Sequence, residues 1–297
     1  MDLSTDGDAQ ADVEILPANG EKVAGKTASR VTALDGLRGL LAAVVMIGHA
    51  LRKIGIDDLY WPSQIAVAIF FLISGYVLTR GWNGRFFPFL LRRAIRLWPV
   101  YVLCLLMGCA INYSPFVWLD LFWLRYVSPV DPASADPPMW SLILEAWMMP
   151  LMPLVVWAGT GGLMRAILAM VTCGLVFQVT HFALVPFIFI AGAFLSRADF
   201  RNSFLESAIP QWLGKISYSL YLSHVLVITA IMAVFGAWGS ALAIPVSLLV
   251  GWGLWITIER PSIRLSRVAG RLASGSGPPD QIVGQDGDRP KMATSLQ

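Results

Sequence analysis

Apolar residues in this chain come in long, nearly unbroken runs rather than in strand-like alternation or the one-sided stripe of a surface helix. A membrane-crossing helix needs about 20 mostly apolar residues, within a range of about 17–25. Eight stretches approach or meet that length: 34–51, 64–79, 97–113, 139–157, 163–179, 182–195, 216–235 and 239–258. The sixth is short. Segment 116–127 (FVWLDLFWLRYV) carries Trp118, Trp123 and Tyr126, which suit the headgroup belt, and it reads as a re-entrant or interfacial piece. The pattern predicts an all-α fold, a polytopic membrane helix bundle of about eight transmembrane helices. Residues 1–32 and 266–297 read as disordered cytoplasmic tails flanking a transmembrane domain over 33–265, the second tail turning to Gly, Pro, Asp, Gln and Ser from about Ser274. No internal repeat is visible.

Composition agrees with that pattern. The 22 Lys+Arg and 19 Asp+Glu make 14% of 297 residues against 56% hydrophobic, where a soluble domain carries about 25% charge. Residues 1–32 hold 9 of the charges and 259–297 hold 10, which leaves 22 for everything between. Threading eight crossings puts 16 Lys/Arg on one side, including Arg80, Arg85, Arg197, Arg201, Arg260, Arg264, Arg267 and Arg271, and only Arg52, Lys53 and Arg125 on the other. That asymmetry predicts both termini in the cytoplasm, and the expected location is the plasma (inner) membrane, as a multi-pass protein. The net charge of +3 comes without a basic groove-facing run, so no nucleic-acid partner is expected. Cys104, Cys109 and Cys173 all sit in apolar runs and imply no disulfide framework. His49, His181 and His224 lack metal-ligand spacing, so no metal site is expected. His181, in a short turn, reads as solvated, and no glycine-rich phosphate loop is present.

Charged groups inside a bilayer cost roughly 2.5–3.5 kcal/mol even on insertion scales, which makes each one a functional candidate. The spans contain Asp35, Arg38, His49, Glu145 and His224. Arg38 and His49 are eleven residues apart, and eleven steps of about 100° bring them to one helix face, about 16 Å apart along the axis. Such a face suits an elongated substrate, anionic at one end and reactive at the other; equally, Asp35 could simply pair with Arg38, and His49 could be interfacial. Ser74-Gly75 reads first as a site of close helix packing, since no base adjoins Ser74 in sequence for nucleophilic chemistry. Arg92, Arg93 and Arg96 are a positive-inside anchor or, more specifically, a phosphate clamp. Glu145 shares a depth with His49 and could orient it, or could pair with Arg52 or Lys53. Ser217, Tyr221 and His224 form a polar stripe at i, i+4 and i+7 that could be mutually satisfied or functional.

Leu34-Asp35-Gly36-Leu37-Arg38-Gly39, with ten residues between Arg38 and His49, resembles the opening motif of the acyltransferase-3 family of integral-membrane O-acyltransferases. FFLISGY (70–76), RRAIRLWPVY (92–101), WSLILE (140–145), ISYSLYLSHVLV (216–227) and IERPSIRL (258–265) are similar to that family's later blocks, in the same order. The resemblance implies acyl-CoA as co-substrate with no bound cofactor, a carbohydrate or glycolipid acceptor, and an acyl group for which acetyl is the first expectation. It implies His49 as the catalytic base, with Arg38 and Glu145 in the catalytic set. Arg92, Arg93 and Arg96 correspond to the family's basic motif near the donor entrance, and Ser74 falls on another motif position. Tyr221 and His224, in the later block, are expected to contact substrate or acyl-CoA. A covalent acyl-Ser74 or acyl-His relay stays open beside direct transfer. Two departures accompany the match: family members are usually longer, with more helices, and Glu145 is followed by Ala-Trp-Met-Met rather than an aromatic pair. The rival class is a multi-pass transporter or flippase for a glycan or lipid-linked intermediate, because intramembrane Arg, His and Glu also mark transport pathways.

Overall fold

The computed structural model describes residues 31–112, 118–124, 136, 138–176 and 184–274. Their regular elements are all helices, with no strand among the described residues. The two tails expected to be disordered, and His181, lie outside them apart from the helical residues noted below. The helices are α1 (Thr32–Arg52), α2 (Tyr60–Arg80), α3 (Phe86–Asn112), α4 (Met139–Met148), α5 (Met152–Thr160), α6 (Leu163–Val176), α7 (Leu184–Leu195), α8 (Ala208–Phe235), α9 (Gly239–Leu254) and α10 (Arg260–Ala273). A π-helical turn, Trp255–Glu259, joins the last two.

Four helical stretches are long and apolar enough to cross a membrane, or five if the α4–α5 pair counts as one span; the last of the four, Ala208–Ala273, holds 66 residues and takes in α8, α9 and α10. That compares with the eight crossings expected from hydropathy. The run at 139–157 is not a straight helix: α4 and α5 meet at a 74° bend. Pro150 and Pro153 explain it, because proline removes a backbone donor and crowds the preceding turn. As described, α6 and α7 have 14 and 12 residues, short of the roughly 20 that a perpendicular crossing takes. In segment 116–127 the described part is a 3-10 turn, Trp118–Phe122. It is tied to α3 by Tyr101 Oη donating to the Asp120 carbonyl (2.7 Å) and Trp98 Nε1 donating to that of Leu121 (2.9 Å). At the other end of the chain α10 runs to Ala273, past the boundary placed at residue 265, so residues 266–273 are helical.

Small residues set the packing, as expected where lipid removes the hydrophobic drive between helices. A Cβ on Gly39 would lie 2.3 Å from the Gly214 nitrogen, and one on Gly214 would lie 2.3 Å from the Asp35 carbonyl oxygen, so α1 and α8 touch backbone to backbone. Gly75 and Gly192 do the same for α2 and α7. On α9, Gly239 packs against Ile231 and Met232 while Gly251 packs against Leu220, which makes α8 and α9 an antiparallel hairpin turned at Gly236 (φ +61°). Around these contacts Phe71, Leu97, Val100, Leu142, Phe189 and Leu222 form part of the largest core cluster. Gly39→Val is expected to lower the thermal unfolding midpoint in detergent strongly, because the clash is with backbone and overpacking costs about 1–3 kcal/mol or more. A midpoint equal to wild type would mean that α1 and α8 do not pack this closely.

Candidate active site

The α1 stripe Arg38, Ala42, Val45 and His49 repeats at i, i+4, i+7 and i+11, so the two polar ends share one face. They open into different cavities. Arg38 lines an inner chamber of about 50 Å³ with Ser74, Ser141, Glu145, Ser217, Tyr218 and Tyr221. His49 lines an outer cavity of about 600 Å³ with Arg52, Lys53, Gln64, Trp140 and Tyr221. Tyr221 borders both. Its hydroxyl lies 2.8 Å from Ser141 Oγ, which donates to the Pro138 carbonyl (3.1 Å), so the Tyr221 O–H donates to Ser141. Phe70 meets the Tyr221 ring edge-on at 5.5 Å.

The hydrogen bonds of His49 assign its tautomer. Nδ1 is 2.9 Å from the Val45 carbonyl, an acceptor, so Nδ1 carries the proton. His224 Nδ1 is likewise 3.1 Å from the Leu220 carbonyl, and its Nε2, left with a lone pair, faces His49 Nδ1 at 3.3 Å. The His49 Nδ1–H is therefore shared between Val45 and His224, and His49 Nε2 keeps its lone pair. His224 is fully buried, at 0% exposure, while His49 is half-buried.

Glu145 does not accompany His49. Its Oε1 accepts a hydrogen bond from Ser74 Oγ at 3.1 Å, and it lines the inner chamber with Arg38. The shared depth with His49 fails within α4 itself: Trp140 lines the outer cavity, and Glu145, five residues further along the helix, lines the inner chamber. Arg52, an alternative partner for Glu145, instead faces Asp57 at 3.6 Å. The FLISGY block thus serves two ends: Gly75 packs on Phe189, and Ser74, 4% exposed, meets the carboxylate.

The arginine triad separates. Arg93 feels the charges of Arg96, Glu145, Arg38 and its neighbour Arg92, and Arg96 those of Arg38, Glu259, Asp35 and Glu145, so both belong to the inner cluster. Arg92 instead donates from Nε to the Pro88 carbonyl (3.2 Å) and lies against Gly270 of α10. Arg92 thus makes contacts of its own on α10, while Arg93 and Arg96 belong to the inner cluster. Among the described residues the buried Nε atoms of Arg38 and Arg96 have no hydrogen-bond partner, which leaves donors in the inner cluster for an anionic ligand.

Sequence reading passed over Glu259. It is 2% exposed and accepts from Ser219 Oγ at 2.6 Å, at the end of the π-helical turn. Its signal was available: an acidic residue directly after the apolar run 239–258, at the sort of helix irregularity that often marks function. Tyr218, whose hydroxyl donates to the Leu97 carbonyl at 2.6 Å, is a second such residue. Among the described residues no group of three His, Cys, Asp or Glu is arranged to hold a metal ion.

Comparison with known proteins agrees with the motif order. The Acyl_transf_3 family model, an acyltransferase domain, matches residues 31–208, more than half of the chain. Neither a curated protein nor a solved structure matches it. The matched range holds Arg38, His49, Ser74, Arg93, Arg96 and Glu145, whereas His224 and Glu259 come from beyond it. The chain belongs to the acyltransferase-3 family and, with its long apolar helices, is a membrane protein carrying an acyltransferase domain.

Proposed function

We propose that this protein is an O-acyltransferase of the plasma membrane that moves an acyl group, acetyl in the first instance, from acyl-CoA to a hydroxyl of a carbohydrate-containing acceptor. The observation that carries the reading is the His49 imidazole, whose Nδ1–H is committed to Val45 and His224 while Nε2 keeps a lone pair beside a cavity of about 600 Å³. A neutral imidazole so held is a general base suited to pH 7. Nε2 takes the proton of the acceptor hydroxyl as its oxygen attacks the thioester carbonyl. The carbon–sulfur bond then breaks, the thiolate leaves and regains the proton, and the products are an ester and CoA. His224 Nε2 accepts the hydrogen bond from the imidazolium that forms, which makes His224 a positioning residue.

At the other end of the stripe Arg38, with Arg93 and Arg96, makes the inner chamber cationic and suited to the phosphates or polarised thioester of the donor. The 16-to-3 Lys/Arg asymmetry supports a cytoplasmic inner chamber and cytoplasmic termini, the side where acyl-CoA is found. The Ser74–Glu145 hydrogen bond also favours a relay in which Ser74 carries the acyl group before His49 hands it to the acceptor. Trapping a labelled acyl-protein that is absent in Ser74→Ala would establish that variant.

The deciding assay supplies acetyl-CoA and candidate saccharides to purified protein and measures free thiol. Release that depends on the acceptor is expected; a transporter gives none. The rate is expected to rise with pH as the His49 imidazole loses its proton, and a kcat/KM profile that stays flat into the acid range would remove His49 as the base. His224→Phe is expected to lower kcat while the donor KM stays near wild type.

A further inference from the structure

The fourteen residues of α10 divide into three stripes. At 100° per residue, Ser262, Ser266 and Gly270 share one face, Arg260, Arg264, Arg267 and Arg271 a second, and Leu265, Val268 and Leu272 a third. The small face is buried against α3: the Arg92 side chain lies where a Gly270 Cβ would be, and Arg85 donates to the Ser274 carbonyl at 2.7 Å. The other two stripes face outward. All four arginines are exposed, and the aliphatic residues are 59%, 44% and 69% exposed. Among the described residues no carboxylate pairs with these arginines; Arg260 alone has an aromatic neighbour, the Trp255 ring at 5.7 Å.

Position explains why two such stripes would stand side by side. A crossing of about 20 residues that starts at Gly239 is used up near residue 258, so α10 begins at the membrane surface, on the side with the Lys/Arg excess. Phe86 and Phe87, 41% and 68% exposed, open α3 immediately after Arg85, which holds the far end of α10. Guanidiniums beside outward aliphatic side chains match the boundary between phosphate headgroups and acyl chains.

We propose that the outer face of α10 is a docking surface for anionic phospholipid of the surrounding bilayer. The lipid phosphate sits on Arg264, Arg267 and Arg271, and the glycerol and upper acyl chain lie on Leu265, Val268 and Leu272. The aliphatic stripe favours a lipid over a soluble phosphate compound, which has no use for it. A second copy of the chain is disfavoured, since a two-fold contact would set one cationic stripe against another. The surface is distinct from the inner chamber lined by Arg38 and Glu145, and it does not depend on the acyl-transfer reading.

The test is native mass spectrometry of the full chain in mild detergent, titrated with phosphatidylglycerol or phosphatidylcholine. Wild type is expected to bind phosphatidylglycerol at least tenfold more tightly, and the preference should fade at about 1 M salt, where screening reaches about 3 Å. Arg264→Gln/Arg267→Gln/Arg271→Gln should weaken phosphatidylglycerol binding about a hundredfold, while the corresponding triple lysine variant retains most of it. Equal affinity of wild type for the two lipids overturns the proposal, whether or not the glutamine variant folds. Unchanged phosphatidylglycerol binding by a folded glutamine variant overturns it too, and if that variant has instead lost CoA binding the stripe is a nucleotide site.

Discussion

His49→Ala is expected to lower acyl transfer by about 10²–10⁴-fold, the usual loss when a positioned general base is removed, while the protein remains inserted and folded. The reason is local. His49 lies on the cavity side of the His49–His224 pair, and its Nδ1–H is already engaged by Val45 and His224. Removal therefore takes away the one nitrogen free to accept a proton and little of the packing. Acceptor-dependent thiol release measures the loss, and a thermal midpoint near wild type separates it from misfolding. His49→Gln retains a hydrogen-bonding side chain but no base and should be equally impaired. Normal transfer by either variant would sink the proposed mechanism.

The second large effect is expected at Arg38. Its buried Nε has no hydrogen-bond partner among the described residues, so Arg38→Ala is predicted to raise the donor KM by about 10–100-fold, the loss of a hydrogen bond to a charged group worth about 1.5–3 kcal/mol. Arg38→Lys keeps the charge and loses the planar fork, so an intermediate KM is expected. The measurement is initial rate against acetyl-CoA concentration at saturating acceptor. An unchanged KM together with a lowered thermal midpoint would instead make Arg38 a structural cation balancing the acidic groups around it.

How far the sequence reaches depends on the range of each interaction. The first two expected spans, 34–51 and 64–79, fall inside α1 and α2 with ends displaced by at most four residues, because apolar length is a local property that the bilayer demands of each segment separately. Helix starts were harder. The third expected span begins at residue 97, whereas α3 begins at Phe86, because hydropathy counts Arg92, Arg93 and Arg96 as loop. Neighbouring helices are what keep those arginines helical: α10 lies along one side, and the inner cluster receives two of them. The break between α4 and α5 has a local signal in Pro150 and Pro153, whereas the chamber that Glu145 enters depends on the helix opposite, through Ser74 of α2.

By itself the sequence determined that this is a helical membrane protein of the acyltransferase-3 family, and that Arg38 and His49 share one helix face. Both follow from composition, motif order and a periodicity that acts within one helix. Only the tertiary structure decided the partners: His224 for His49 across 175 residues, Glu145 for Ser74 across 71, and Glu259 for Ser219 across 40. It also decided that Tyr221 stands between two cavities. Periodicity tells which way a side chain points around its own axis; which helix stands opposite is set by how closely glycine-lined backbones can approach, and that is a property of pairs of segments.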